Sequence, residues 1–155
     1  METTTPQAIH EHFVQVIQAI TPTYAYESDN PWSYVTSLPG EVSGMEIRRF
    51  TMDWGIAEPE PEGLYSLGEE YTMILEINVG YAGLDKETPS WLIQQDGVDL
   101  RTVLLAQLSP TCPGLLSVRR IDFSVDSDEE GHWYGSHVFR VNYMHDTGVS
   151  LPPIV

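Results

Sequence analysis

The clearest strand in the sequence is YTMILEINV, residues 71–79. Apolar side chains recur at every second position from Tyr71 to Val79, and all but one of the residues between them are polar. This alternation is typical of a strand with one face buried and the other in water. Working outward, the sequence predicts a second strand over residues 45–56 and a hairpin over residues 120–143 with an acidic tip at 126–131. In the hairpin, alternation places Ile121 and Phe123 together and Arg120 on the opposite face.

Two helices accompany these strands. The first follows Thr5-Pro6, where Thr5 is placed to cap the helix and Pro6 suits its first turn. Its apolar stripe runs from Ile9 to Ile20 at helical spacing. The second helix is expected to start at Asp99 and to run to Leu108, after a separate short turn at residues 91–93.

The order of these elements is helix, two strands, helix, two strands. It predicts a single α+β domain over residues 1–155, with a mainly antiparallel four-stranded sheet covered by two helices. Long extended loops connect the elements, at residues 23–43 and in the proline- and glutamate-rich arm that begins at Glu58.

The charge balance excludes some function classes. The chain has 23 Asp and Glu residues against 7 Lys and Arg residues, a formal net charge of -16. A field of that sign repels nucleic-acid phosphates and anionic membranes, so we expect no grip on DNA and no membrane partner. Simple solubility accounts for the same charge equally well. Cys112 is the only cysteine, which excludes an intrachain disulfide.

The sequence contains no recognisable motif for catalysis or metal binding. His10 and His12 are two residues apart on a predicted helix and point to different faces, so they do not share an ion. Residues 126–131 resemble the start of a calcium loop, but His137 stands where that loop needs a bidentate Glu. There is no glycine-flanked nucleophile and no phosphate-binding loop. We therefore predict a non-enzymatic protein without cofactor or metal.

Several features are better suited to contacts with other protein subunits. The loop at 23–43 is rich in aromatic residues, which bring large contact area, although they would equally well cover the domain's own core. Arginine doublets in the predicted strands suit pairing with carboxylates, either within the fold or on a neighbouring copy. The candidates for subunit contact are Tyr24, Tyr26, Trp32, Tyr34, Arg48, Arg119, Arg120, Glu60 and Glu62.

The layout resembles the tail terminator proteins of long-tailed bacteriophages. The segments that carry the resemblance are residues 8–20, 45–79, 96–108 and 121–143, in the order helix, strand pair with arm, helix, hairpin. The resemblance implies a homo-oligomeric ring, typically a hexamer, that caps the tail tube and joins it to the head connector. It also implies a virion protein assembled in the host cytoplasm, with tail tube and connector proteins as partners and DNA passing through the ring without being gripped.

Two alternatives remain open from the sequence. One is a different component of the head–tail connection. The other is a small-molecule binding domain with a pocket lined by Trp32, Tyr34, Trp54 and Trp91.

Overall fold

The computed structural model describes residues 2–24, 31–36, 38, 47–59, 70–81, 89–127 and 132–146. These residues form two helices and one six-stranded mixed sheet, so the predicted α+β class is confirmed. In chain order the elements are α1 (Pro6–Gln18), β1 (Ser33–Tyr34), β2 (Ile47–Trp54), β3 (Glu58–Pro59), β4 (Glu70–Tyr81), α2 (Pro89–Leu105), β5 (Leu115–Ser127) and β6 (Trp133–Met144).

The sheet order is β1-β2-β4-β6-β5, with β3 paired to β4 beyond the end of β2. The prediction of a four-stranded, mainly antiparallel sheet was wrong in strand number, because two segments read as loops each contribute a short strand. β1 lies within the aromatic loop and pairs with β2 in parallel. β3 lies in the Pro-Glu arm, where Glu58 and Pro59 add two register pairs to the edge of β4.

Helix α1 follows its predicted pattern. Thr5 is the N-cap, its side chain accepts a hydrogen bond from the Ala8 N–H at 3.2 Å, and Pro6 occupies the first turn. Ile9, Phe13 and Ile17 are completely buried against the sheet. At about 25 cal/mol per Å² of apolar surface, this stripe supplies the main reason for the helix to dock.

Helix α2 is longer than predicted. It runs without interruption from Pro89 to Leu105, so the predicted short turn at residues 91–93 and the start at Asp99 were wrong. Asp96-Gly97 reads as a turn in the sequence but lies inside the helix. A Cβ atom on Gly97 would lie 3.3 Å from His137 and from Phe123, so helix and sheet approach closely here and a larger residue would force these side chains to shift.

The described sheet has three bulges, one in β2 and two in β5, and two of them decide which side chains face the helices. One places Arg48 as an extra residue in β2, with a positive φ of 60°, and turns its side chain beneath α2. The other places Ile121 as an extra residue in β5. Because of it, Arg120 and Phe123 both face the helices, whereas Ile121 is 45% exposed, which corrects the predicted grouping of Ile121 with Phe123.

The core is one layer between the two helices and one face of the sheet. Its centre is formed by alternate residues of β4 and β6, including Leu75, Ile77, Phe139 and Val141, all completely buried. Trp32 also belongs to this core. The opposite face of the sheet carries most of the exposed side chains of β4, β5 and β6, and we call it the open face.

We expect Gly114→Ala to destabilise the protein. Gly114 has a φ of +86°, and an added Cβ would lie 2.8 Å from the Thr3 carbonyl carbon and 2.9 Å from the Thr4 nitrogen. The backbone conformation alone costs an alanine about 1–2 kcal/mol, and the clash adds to it. Urea denaturation measures the change.

Gly55→Ala is the matched control for this variant. Its nearest contact would be an ordinary 3.5 Å, so we expect a change within about 0.5 kcal/mol. Equal stability of the two variants would show that residue 114 tolerates a side chain.

Candidate protein-binding surfaces

A buried polar cluster fixes α2 to the sheet. Arg48 Nε donates to both carboxylate oxygens of Asp96, at 3.1 Å to Oδ1 and 2.9 Å to Oδ2. The Tyr81 hydroxyl donates to Asp96 Oδ2 at 2.7 Å. Arg48 and Asp96 have no solvent exposure, so Arg48, a predicted contact residue, is part of the interior and not of a surface.

The protonation of this cluster follows from burial and charge. Burial raises the pKa of Asp96, and the guanidinium of Arg48 opposes the rise because it stabilises the carboxylate. Burial and the Asp96 charge together raise the pKa of Tyr81 well above its ordinary value, so its hydroxyl stays a hydrogen-bond donor. The three groups therefore act as one hydrogen-bonded unit across β2, β4 and α2.

The same region anchors the first residues of the aromatic loop. Arg48 also donates to the carbonyl of Tyr24. Thr23 donates its N–H and its hydroxyl to the carboxylate of Asp99, at 3.0 and 2.8 Å. These bonds hold the Tyr24 ring 4.8 Å from the ring of Trp91, at an interplanar angle of 87°.

Tyr24 and Trp91 form an exposed aromatic pair on the surface. Their side chains are 43% and 50% exposed, which leaves them free to contact another molecule. Sequence reasoning named Tyr24 as a contact residue but not Trp91. The signal that was missed is the position of Trp91 in the first turns of α2, directly before the buried stripe that begins at Leu92.

The other aromatic candidates are divided between core and periphery. Trp32 is 1% exposed and packs its ring against Phe50, which agrees with the alternative that these aromatics cover the core. Tyr34 is half-buried and contacts the rings of Phe50 and His10. Three further candidates, Tyr26, Glu60 and Glu62, lie outside the described residues.

The two arginines of the second doublet have different surroundings. Arg120 faces α2, where it donates to the Gly97 carbonyl at 3.0 Å and lies 5.2 Å from the centre of the Phe123 ring. It therefore contributes to the docking of α2, which weakens its case as a contact residue. Arg119 is exposed on the open face, directly opposite Arg140 of β6.

The open face carries a second pair of like charges. Asp53 of β2 lies directly opposite Glu76 of β4, and both are exposed. Within the described part of the chain, neither these carboxylates nor Arg119 and Arg140 form an ion pair. Like charges directly opposite each other are unfavourable in a sheet, so both pairs are available to an oppositely charged partner.

His137 is a buried titratable group beneath α2. Its ring stacks on Phe123 at 4.5 Å, and neither ring nitrogen has a hydrogen-bond partner. Burial, and secondarily the charge of Arg120, lowers the pKa of His137 to about 3. The imidazole is therefore neutral at physiological pH and belongs to the packing of the core.

The described grooves do not match the predicted aromatic pocket. An open groove of about 300 Å³ is lined by Thr36, Leu38, Thr51, Asp53, Asn78 and Tyr134. Another, of about 280 Å³, lies between α1 and α2 near Ile20 and Asp99. Trp32, Trp54 and Trp91 line neither of them.

The described residues contain no group of three or more His, Cys, Asp or Glu side chains placed to hold a metal ion. Neither described helix combines the length and hydropathy needed to cross a membrane.

In comparisons with known proteins, no family model matches the chain, and no curated protein is similar to it in sequence.

We expect Arg48→Met to lower the free energy of unfolding by about 3–5 kcal/mol, because it leaves the Asp96 carboxylate buried without its cation. Adding Asp96→Asn should recover part of this loss, since the orphaned charge is removed. Urea denaturation at pH 7 of the two single variants and the double variant measures the coupling.

Arg101→Met serves as the control, because Arg101 is exposed on the same helix as Asp96. Its effect should stay within about 0.5 kcal/mol. Strict additivity of Arg48→Met and Asp96→Asn would contradict the coupling.

His137→Leu should change the pH dependence of stability. The pKa is 6.5 for an ordinary histidine and about 3 in the folded protein. Below pH 6.5 the unfolded chain therefore takes up a proton that the folded chain does not, and stability falls as pH falls. Between pH 7 and pH 5 the parent protein should lose about 2 kcal/mol more than the variant.

Denaturant midpoints measured across this pH range test the prediction. Above pH 7.5 the histidine is neutral in both states, so the two proteins should there show the same slope with pH. If the stability of the two proteins changed with pH in parallel over the whole range, the loss of stability at low pH could not be assigned to His137.

Proposed function

We propose that this chain is a non-enzymatic virion structural protein, a tail terminator. In this proposal six copies form a ring that caps the tail tube and joins it to the head connector, with DNA passing through the lumen. The protein is assembled in the host cytoplasm and is carried in the tail of the virion. Its partners are further copies of itself, the tail tube protein and the connector protein.

The observation that carries the proposal is that the two edges of the sheet differ and each carries predicted contact residues. Tyr34 lies in β1 at one edge, and Arg119 lies in β5 at the other. A closed ring requires two different surfaces on every subunit, so that one copy's first surface meets its neighbour's second. Opposite edges of one sheet supply such a pair of surfaces.

The β5 edge is well suited to a specific contact. Its 13 residues have no partner strand on the outer side within the described part of the chain. Two bulges interrupt it, and Arg119, Asp122 and Asp126 place charges along it. These features prevent indiscriminate pairing of strands, so a contact there requires a partner of matching charge and shape.

The net charge of -16 is compatible with a DNA passage, because an acidic lumen does not hold the phosphate backbone. Another component of the head–tail connection would share most of these properties and is the nearest alternative. The small-molecule binding domain is less favoured, because Trp32, Trp54 and Trp91 line neither of the two described grooves and Trp32 is in the core.

Cross-linking between the two edges tests the ring. Ser33→Cys places a thiol on β1, and Ser117→Cys places one on β5. A chain that carries both, treated with a short bis-maleimide in the presence of tubes of the tail tube protein from the same genome, should give a ladder of covalent oligomers that ends at the ring size. Electron microscopy should show the product at tube ends.

Each single-cysteine chain is the matched control and should give no covalent oligomers, since Cys112 is only 4% exposed. Dimers cross-linked through Ser117→Cys alone would show that the edge meets its own equivalent, which a ring of this kind does not allow. The genes that flank this one give an independent test. Tail tube and connector genes are expected, and metabolic genes would contradict the proposal.

A further inference from the structure

The open face carries two like-charge pairs of opposite sign. Arg119 and Arg140 are opposite each other across β5 and β6, and Asp53 and Glu76 are opposite each other across β2 and β4. All four side chains are exposed. Each pair is unfavourable in the isolated chain, and each is the electrostatic complement of the other.

The register of the strands places the two pairs close together but out of contact. Arg140 is opposite Ile74, two residues from Glu76 along β4. With strands about 4.8 Å apart and a rise of about 3.4 Å per residue, the centres of the pairs are about 12 Å apart. No ion pair joins them within the described residues. The described part of the chain therefore does not neutralise these pairs.

An apolar patch lies at the midpoint between the two pairs. On β4 and β6, Ile74 lies opposite Arg140 and Glu76 lies opposite Val138. These four residues form a square in which Ile74 and Val138 are diagonal corners. Ile74 is 38% exposed, and Val138 is half-buried. An apolar centre flanked by charged groups has the composition of a protein–protein contact, with the charges at its rim.

We propose that the open face binds the open face of a second copy of this chain. A two-fold axis in the plane between the faces, passing over Ile74 and Val138, places each arginine pair over the carboxylate pair of the other copy. Both pairs are then satisfied at once, and the apolar patch is covered by its own equivalent. A surface that complements itself in this way is what an isologous contact requires.

Asp122 lies in the same row as Asp53 and Glu76, on the far side of Val138, and the two-fold axis does not place it over an arginine of the other copy. The contact uses the face of the sheet and shares only Arg119 with the edge residues assigned to the ring. It does not depend on the ring proposal.

Charge reversal tests the contact. An acidic-face variant carries Arg119→Glu and Arg140→Glu, and a basic-face variant carries Asp53→Arg and Glu76→Arg. Sedimentation equilibrium at about 0.15 M salt, where the repulsion between two chains of net charge -16 is screened beyond about 8 Å, should show dimers of the parent chain. In each variant the dissociation constant should rise by at least roughly tenfold.

Restoration of the contact separates it from a general charge effect. An equimolar mixture of the two variants should form a heterodimer, because an all-acidic face then meets an all-basic one. The variant with all four substitutions should dimerise like the parent, since its pairs are exchanged but still complementary. Arg101→Glu and Glu11→Arg, exposed on α2 and α1, are controls outside the open face and should leave the dimer unchanged.

Several results would overturn the proposal. They are a parent chain and variant mixture that both stay monomeric at about 0.15 M salt, reversed variants that dimerise like the parent, or a four-fold variant that does not recover. Circular dichroism of each variant verifies folding. The cross-linking of Ser33 and Ser117 reports on the ring separately, so failure of one proposal is distinguishable from failure of the other.

Discussion

The ion pair between Arg48 and Asp96 is the interaction on which the rest of the structure depends. It joins β2 to α2, and through the Tyr81 hydroxyl it includes β4. Reaching Asp96 requires Arg48 to occupy a bulge with a positive φ, which costs a non-glycine residue about 1–2 kcal/mol. The structure retains this strained residue because, without it, a carboxylate would be buried without a cation.

The position of α2 determines much of what surrounds it. Once the helix is fixed at Asp96, the carbonyl of Gly97 becomes the acceptor for Arg120, and His137 is enclosed without a polar partner. Asp99, one turn later, holds Thr23 and so brings Tyr24 to the surface beside Trp91. The exposed aromatic pair is therefore a product of the buried cluster beneath it.

Periodicity predicted the elements in which apolar side chains repeat at one spacing throughout, such as α1 with its Thr5 cap and β4 with its regular alternation. It failed where tertiary contacts override local preference. Asp96-Gly97 has the composition of a turn, yet the ion pair and the close approach to the sheet keep it helical. No local signal marks the bulge at Ile121 either, and that one extra residue decides whether Arg119 or Arg120 lies opposite Arg140. Of the four charged residues paired on the open face, only Arg119 was among the predicted contact residues, and the pairing depends on register.

Gly97 of α2 and Gly135 of β6 both lie against His137. A Cβ on Gly97 would lie 3.3 Å from His137 Cε1, and one on Gly135 would lie 3.3 Å from Nε2. The separation of helix and sheet at this point therefore depends on three positions together. Over evolutionary time these positions are expected to change as a group, since a larger side chain at either glycine is accommodated most easily when the side chain at 137 is smaller.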